Sequence, residues 1–155
     1  MSKQFVVFSI NEEEYGFDVS AVNGILRAKK FTIKTMPGTS KVIEGIINVR
    51  NSINYVLNLR HKFGLVPREM DEESKFIMLN IGESNACCIA DEVTDIMKLE
   101  EEDIQAAPTF VSGISAKYIE GIGKMDERII IILNPQNILN LEERVSIEEA
   151  AAAAK

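Results

Sequence analysis

Residues 42–60, VIEGIINVRNSINYVLNLR, decide the fold of this chain. The pattern predicts two strands, residues 46–49 and 53–57, joined by a tight polar turn, since strand-forming apolar residues flank the turn on both sides. Asn58 is placed to cap a short helix over residues 59–63, and the next glycine is placed to end it. The stretch therefore predicts a β-hairpin followed by one helical turn.

The same unit recurs downstream. The letters IEGI of the hairpin reappear at residues 119–122, an offset of 76 residues, and at that offset Asn58 aligns with Asn134. The N-terminal run at residues 5–10 is matched by residues 76–81 at an offset of 71 residues. We infer a duplicated module of roughly seventy residues. The run at 5–10 is long enough to pair with either copy, so strand exchange between the halves stays open.

The element pattern predicts a mainly β fold. Short strands, repeated turn signals and helical turns only at the ends of the copies favour small barrels, because closure of a sheet removes its open edges. We expect one domain over residues 1–145, divided into a first subdomain at about 14–74 and a second at about 75–141. The strand at 4–10 is available to the second subdomain. Residues 146–155 are interpreted as a frayed or vector-derived tail.

Composition and charge exclude several classes of function. The chain has 155 residues with 24 acidic and 17 basic side chains, a net charge of −7. A nucleic-acid surface needs clustered Lys and Arg, and an anionic membrane surface attracts the same groups, so both are disfavoured. No apolar run reaches transmembrane length, and residues 1–4 lack a signal-peptide pattern, so we expect a cytoplasmic protein.

Few residues could carry catalysis. Cys87 and Cys88 are adjacent in a strand-like run, where alternation sends them to opposite faces of a sheet. Small buried hydrophobes are the favoured reading, and a thiol-based redox enzyme using this pair is the rival one. His61 is the single histidine and has no partner in the sequence to orient it as a base. With no phosphate loop and no metal-ligand spacing, we expect no enzyme, no cofactor and no metal.

Residues that differ between the copies are better candidates for function than residues they share. Asn48-x-Arg50 at the hairpin turn aligns with Lys124-x-Asp126 in the second copy. Arg50 is expected at the hairpin tip, where a planar guanidinium with five donors can bind carbonyls or a carboxylate of a partner. A solvated arginine at an exposed turn is the alternative.

Six stretches of the chain form a recognisable series in sequence order. They are FVVF at 5–8, YGFDV at 15–19, GIINVR at 45–50, VLNLR at 56–60, IADEV at 89–93 and YIEGI at 118–122. This series resembles the CheW family of chemotaxis coupling proteins. The similarity runs from residue 5 to about residue 141, so a coupling protein is favoured over the similar domain at the end of the chemotaxis kinase.

The resemblance implies a fold and a set of partners. The fold is two SH3-like five-stranded β-barrel subdomains with short terminal helices. The partners are the cytoplasmic tips of transmembrane chemoreceptors, methyl-accepting chemotaxis proteins, and the regulatory domain of the histidine kinase CheA, which together build membrane-bound signalling arrays. The implied role is that of an adaptor with no cofactor, no nucleic acid and no direct membrane insertion.

The resemblance also assigns site residues by their place in the motifs. The receptor hairpin is expected in a groove between the barrels, and the kinase is expected on an edge of the first barrel. The expected receptor-binding residues are Val22, Gly45, Asn48 and Arg50. The expected kinase-binding residues are Lys41 and Glu44.

The chain departs from the family pattern at four places. Asn51 replaces a glycine after the motif arginine, Tyr55 replaces a proline, Asn58 replaces an aspartate, and Gly24 stands where an acidic residue is common. Asparagine tolerates positive φ and still caps a helix, so the turn and the cap are expected to survive. The glycine removes an acidic side chain and indicates a divergent partner surface.

Two rival functions keep a similar fold. One is the same coupling role in a twitching or developmental chemosensory pathway. The other, from a different class, is a small barrel that binds oligonucleotides, which needs a basic groove with exposed aromatic residues. Aromatic residues make up only 6% of this acidic chain.

Overall fold

The computed structural model describes residues 2–36, 41–106 and 118–139, so the predicted tail at 146–155 lies outside the described residues. The strands within this part of the chain are β1 (Ser2–Ile10), β2 (Glu13–Asp18), β3 (Val22–Arg27), β4 (Ile43–Val49), β5 (Ser52–Leu57), β6 (Lys75–Ile81), β7 (Ser84–Ala90), β8 (Glu92–Glu100), β9 (Ile104–Gln105), β10 (Ile119–Met125) and β11 (Arg128–Leu133). The helix α1 spans Leu59–Lys62, and 3₁₀ turns span Val19–Ala21, Ala28–Lys30, Glu101–Asp103 and Pro135–Asn137.

The strands form two curled sheets, consistent with SH3-like subdomains, and the predicted mainly β fold is confirmed. One sheet has the strand order β3-β6-β7-β5-β4 and is called the five-stranded sheet. The other has the order β8-β1-β2-β11-β10-β9 and is called the six-stranded sheet. Its additional strand, β9, has two residues, and its counterpart in the five-stranded sheet is a single bridge between Lys34 and Ile46.

The two copies exchange their first hairpins. β6 and β7 of the second copy join the five-stranded sheet, and β1 and β2 of the first copy join the six-stranded sheet. Parallel pairs, β5 with β7 and β11 with β2, make these connections. The sheets therefore divide the chain at different places from the predicted boundary at residue 74, because the two exchanged hairpins have the same strand pattern and fit either sheet. Residues 22–90 hold the whole five-stranded sheet.

The predicted hairpin and its repeat are both present. β4 pairs with β5 through a two-residue turn, one residue shorter than predicted because Ser52 already belongs to β5. The register shifts between Ile43 and Gly45, and the equivalent shift lies between Ile119 and Gly121 in β10. The same bulge in both copies confirms at backbone level the duplication seen in the sequence.

Three apolar clusters hold the two sheets. One fills the five-stranded sheet, another fills the six-stranded sheet, and a third, the shared core, lies between them. An aromatic series of Phe17, Phe8, Tyr15, Phe63 and Tyr118 runs through the shared core, with ring centroids 5.2 to 5.9 Å apart. Side chains of both sheets thus pack into one continuous interior.

Candidate functional site

The turn between β4 and β5 holds two residues in an unusual backbone conformation. Arg50 has a φ of 51° and Asn51 has a φ of 67°. Two-residue turns with positive φ match the twist of the flanking strands, and asparagine adopts this conformation more readily than most residues with a side chain. Asn51 therefore keeps the turn in place of the glycine of the family pattern. Arg50 is held at the tip at some cost in backbone strain.

A groove of about 400 Å³, called the Arg50 groove, opens beside this turn. β3 forms one wall over residues 23–26, and Met78 and Asn85 of the β6–β7 hairpin form another. Ile25 on the β3 wall is 39% exposed and supplies apolar surface. A groove that combines apolar surface with a cation at its edge suits a segment of a protein partner, since interfaces combine apolar anchors with a few oriented polar groups.

The guanidinium of Arg50 has no ion-pair or hydrogen-bond partner within the described residues. By contrast, Arg60, Arg68 and Arg128 each lie 2.5 to 2.6 Å from a carboxylate oxygen. Gly24, which lines the same groove, has no side chain to supply an acid. Arg50 is therefore available to bind a carboxylate or a carbonyl of a partner.

The equivalent hairpin of the second copy, β10–β11, does not offer such a group. Asp126, with a φ of 55°, aligns with Arg50. The nearby Arg128 is held by Glu14 at 2.6 Å and by Asp95 at 3.0 Å. Hydrogen bonds to Glu14 and Asp95 raise the pKa of Arg128, so its charge is permanent and already neutralised within the chain. The two hairpins share a fold but present different chemistry.

The four predicted receptor-binding residues do not all lie together. Arg50 lines its groove, and Asn48 is exposed two residues earlier on β4. Val22 begins β3, next to the groove wall, and is half-buried against the shared core. Gly45 is buried toward the other end of β4, where a Cβ atom would overlap the backbone oxygen of Lys34. Of the four, Arg50 alone is among the residues that line the groove, and these lining residues belong to the five-stranded sheet, so the groove differs from the one expected between the barrels.

The two predicted kinase-binding residues lie where β4 begins. Lys41 and Glu44 are both exposed. Glu44 Oε2 accepts a 3.0 Å hydrogen bond from Asn58 Nδ2, which gives a physical reason for asparagine rather than the aspartate of the family pattern. β4 is the last strand of its sheet, and within the described residues its outer edge is paired only through the bridge between Lys34 and Ile46.

An ion pair that the sequence did not predict joins the two sheets. Arg60, in α1, contacts Asp91 through Nε at 3.3 Å and through Nη2 at 2.5 Å. Asp91 also accepts a 2.8 Å hydrogen bond from the backbone N–H of Asn11, between β1 and β2. The side chains of the pair are 11% and 14% exposed. The partners are 31 residues apart, and no local pattern relates them.

Asn54 is a second residue that sequence reasoning missed. It is a buried asparagine in β5, and it lines the Arg50 groove. The signal was present in the repeat, because the aligned residue of the second copy is Ile130. A polar residue in one copy that aligns with an apolar residue in the other is a difference between the copies, and such differences indicate candidate functional residues, as for Arg50.

The two cysteines carry no reactive thiolate at neutral pH. Burial raises the pKa of the Cys87 thiol to about 12 and raises that of the Cys88 thiol well above its ordinary value. The thiolate is the reactive form, so the redox alternative loses its chemical basis. Alternation is as predicted, since Cys87 packs inside the five-stranded sheet and Cys88 in the shared core.

The described residues show neither a metal-binding cluster nor a membrane-spanning helix. No three or more His, Cys, Asp or Glu side chains there are arranged to hold a metal ion. No helix in that part of the chain is long and apolar enough to cross a membrane.

Comparisons with known proteins agree with this architecture. The family model for the CheW-like domain matches residues 4–143. The chain is 30% identical over 151 residues to the chemotaxis protein CheW of Klebsiella aerogenes, covering 97% of this chain and 90% of that relative. It is 29% identical over 144 residues to CheW of Bacillus subtilis, covering 93% and 91%.

A solved structure extends the agreement to three dimensions. The crystal structure of the scaffolding protein TtCheW from Thermoanaerobacter tengcongensis matches with a TM-score of 0.82 at 34% identity, covering 92% of this chain and 91% of that chain. Sequence and fold therefore point to the same relatives over nearly the whole length. The chain belongs to the CheW family, whose members are non-enzymatic scaffold proteins of chemotaxis signalling.

Proposed function

We propose that this chain couples the cytoplasmic tips of transmembrane chemoreceptors to the regulatory domain of the histidine kinase CheA. One surface takes the receptor, a second takes the kinase, and these contacts recruit the chain to membrane-bound receptor arrays. The same geometry serves a flagellar, twitching or developmental pathway, since the pathway is set by the partners.

The unpaired guanidinium of Arg50 carries the receptor half of the proposal. It sits at a strained hairpin tip, beside a groove of about 400 Å³. Ile25 lines the groove and is 39% exposed, and Ile53, in β5 just after the turn, is 45% exposed. Two apolar anchors around one oriented cation are features that bind an amphipathic helix, and Asn48 adds a polar contact at the edge.

The outer edge of β4, which within the described residues is paired only through the bridge between Lys34 and Ile46, supports the kinase half. Lys41 and Glu44 present opposite charges near the start of this strand. An edge strand can pair with a partner's backbone, and neighbouring charges of opposite sign set the register of such a contact. Arg50 lies at the far end of the same strand, so the two partners bind without competing for one surface.

The oligonucleotide-binding alternative finds no support at the groove. Among the described residues that line it, Arg50 is the one cation and none is aromatic. Binding of single strands combines a positively charged groove with aromatic rings on which bases stack. We expect no salt-sensitive binding of single-stranded DNA in a fluorescence anisotropy titration.

The test is a separation of the two binding activities. Arg50→Ala is expected to weaken binding of a purified receptor-tip fragment by at least about tenfold, as for loss of a charge-assisted hydrogen bond. The melting temperature and the affinity for the CheA regulatory domain are expected to stay unchanged, because Arg50 is exposed and unpaired. Titration calorimetry with each partner measures both affinities.

The matched variant is the charge reversal Lys41→Glu with Glu44→Lys. It is expected to weaken the kinase complex and leave the receptor complex intact. For Arg50→Ala, the control for loss of one cation is Lys98→Ala, on the exposed face of β8. Normal receptor binding by the Arg50 variant, or loss of both partners together through unfolding, would contradict the assignment.

A further inference from the structure

Asn54 is a buried polar residue with one half of its side chain unpaired. It is 1% exposed, and Nδ2 donates a long hydrogen bond of 3.4 Å to the backbone oxygen of Ser52. Oδ1 has no hydrogen-bond partner within the described residues. Because the Ser52 oxygen can only accept, the nitrogen must face it, and the orientation of the amide follows from this contact. The unpaired atom is therefore an acceptor, and because it is closed to solvent, a donor reaches it only when a side chain of the groove moves aside.

The fold does not need this acceptor. Asn54 pairs with Ile47 across the β4–β5 hairpin, and the aligned Ile130 pairs with Gly123 across β10–β11. Ile130 is fully buried in the interior of its own sheet. An apolar residue thus fills the position in one copy, whereas the other keeps an acceptor whose burial without a partner lowers stability. A group that costs stability and is not required by the strand points to a binding role.

The surroundings of Asn54 limit what can bind there. Asn54 lines the Arg50 groove together with the exposed Asn85 and the half-buried Met78. The charge of Arg50 disfavours a cationic occupant. A carboxylate could pair with Arg50 but has no proton to donate to Asn54. Gly24, on the β3 wall, lets Met78 approach closely, since a Cβ atom at this position would come within 3.2 Å of the Met78 sulfur.

We infer that the Arg50 groove takes a glutamine or asparagine side chain of the receptor tip, with its N–H donated to Asn54 Oδ1 and its oxygen accepting from Arg50. A primary carboxamide supplies both the donor and the acceptor in one uncharged group. Because the hydrogen bond between Asn54 and the carboxamide is buried, a side chain that cannot form it binds at a high cost in free energy. Asn54 therefore contributes to the specificity of binding as well as to its strength. The inference rests on the proposed function, because it names the receptor tip as the occupant.

The first experiment replaces Asn54 with valine, the apolar strand former nearest to it in size. Binding of the receptor-tip fragment is expected to weaken about three- to tenfold, as for loss of one buried hydrogen bond. The melting temperature is expected to stay the same or rise, since the unpaired acceptor is gone. Asn137→Ala, which removes an exposed asparagine on the other side of the repeat, is the control and is expected to change neither value.

The second experiment identifies the partner group. Each glutamine, asparagine, serine, threonine, aspartate and glutamate of the receptor-tip fragment is changed to alanine in turn and titrated against the unmodified chain and against Asn54→Val. One glutamine or asparagine change is expected to weaken binding to the unmodified chain about three- to tenfold and to have no further effect on the variant. Coupling to a hydroxyl or to an acidic residue instead, or to no residue, would overturn the carboxamide assignment.

The outcomes separate this inference from the proposed function. If the unmodified chain does not bind the receptor tip, the proposed function fails. If it binds and Asn54→Val binds equally well, the receptor role stands and the role of Asn54 fails. Should the valine variant melt at a lower temperature, Asn54→Ile, the residue of the second copy, takes its place in the same titrations. Unfolding of both variants would refute the premise that an apolar residue fits here.

Discussion

Single residues of the repeat show how far shared positions serve the fold. Gly45 lies at the bulge of β4, and Gly121 lies at the equivalent bulge of β10. A Cβ atom on Gly45 would overlap Lys34 O and lie 2.8 Å from Cγ2 of Ile33, and one on Gly121 would lie 2.9 Å from a backbone oxygen. Both copies need glycine because another chain segment crosses at this point. The fold alone accounts for Gly45, and its receptor contact stays a prediction.

Gly45→Ala is therefore expected to lower the free energy of unfolding by about 2 kcal/mol, as for overpacking of a tightly packed interior. Gly24→Ala is the matched control, since its Cβ would meet only the flexible end of Met78, and a smaller loss is expected. Urea unfolding of both variants measures the difference. A Gly45→Ala protein with native stability and impaired receptor binding would show instead that the residue acts by contact.

The buried cysteines make the stability of the chain sensitive to alkali. Below about pH 9 the thiols are protonated in both states, so their contribution to stability is fully present. Between pH 9 and about 12 the unfolded chain loses protons that folded Cys87 and Cys88 retain. The free energy of unfolding is therefore expected to fall as pH rises through this window, by up to about 1.4 kcal/mol per pH unit for each thiol.

Urea titrations at several pH values between 8 and 11 would measure this slope. Tyr15 and Tyr55, whose pKa values are also raised by burial, add to the fall at the upper end. The variant Cys87→Ala with Cys88→Ala should show a shallower slope from pH 9 upward, whatever its stability at pH 7. An unchanged slope in that variant would mean that the thiols are accessible in the folded state.

At the scale of elements, local signals predicted the hairpins and their caps well. The β4–β5 hairpin, α1 and their repeat depend on neighbours in sequence, such as the turn at Arg50 and the capping Asn58, and all are present. The apolar spacing of residues 20–26 fits either a helical turn or a bent strand, and the structure contains both, a 3₁₀ turn at Val19–Ala21 and then the strand β3. The hydrophobic period could not separate the two, because the helical part is a single turn and the strand has only six residues.

The cap of α1 has a second contact that shapes its energetics. Asn58 Oδ1 accepts from the backbone N–H of His61 at 3.0 Å while Nδ2 donates to Glu44. Asn58→Ala is expected to cost about 1 kcal/mol of stability, as for loss of an N-cap. Asn58→Asp keeps the cap but places two carboxylates together, so an intermediate loss is expected. Thermal melts of both, and of Asn58→Asp with Glu44→Gln, test this, and a full loss in the aspartate variant would count against the capping role.

At the scale of the whole molecule, the exchange of hairpins was left open by the sequence. The run at residues 5–10 could pair with either copy, because the same strand pattern occurs twice. The structure shows how the exchange is held in place. Gln136 Nε2 donates to the backbone oxygen of Asn80 at 2.8 Å, and Gln136 Oε1 accepts from the backbone N–H of Gly82 at 3.1 Å. At the β1–β2 turn, Asp91, which is paired with Arg60, accepts from the backbone N–H of Asn11 at 2.8 Å. Each copy therefore contributes strands to both sheets, and these strands pack together in the shared core.

This architecture predicts that neither sheet is stable without the other. A fragment of residues 22–90 contains every strand of the five-stranded sheet and would be a complete barrel by topology. In the intact chain, however, Leu57, Leu79 and Cys88 of that sheet are buried against Phe8 and Phe17 of the other. The fragment would expose this apolar face, and the removed hairpin β1–β2 cannot be replaced from within it.

The fragment is accordingly expected to bind a hydrophobic dye and to melt without a cooperative transition, as a state that has lost its specific packing does. The intact chain should unfold in one transition that coincides by far-ultraviolet circular dichroism and tyrosine fluorescence, because the shared core couples both sheets. A sharp melt and dispersed amide resonances from the fragment would contradict this expectation. They would mean that the shared core orients two self-sufficient barrels instead of stabilising them.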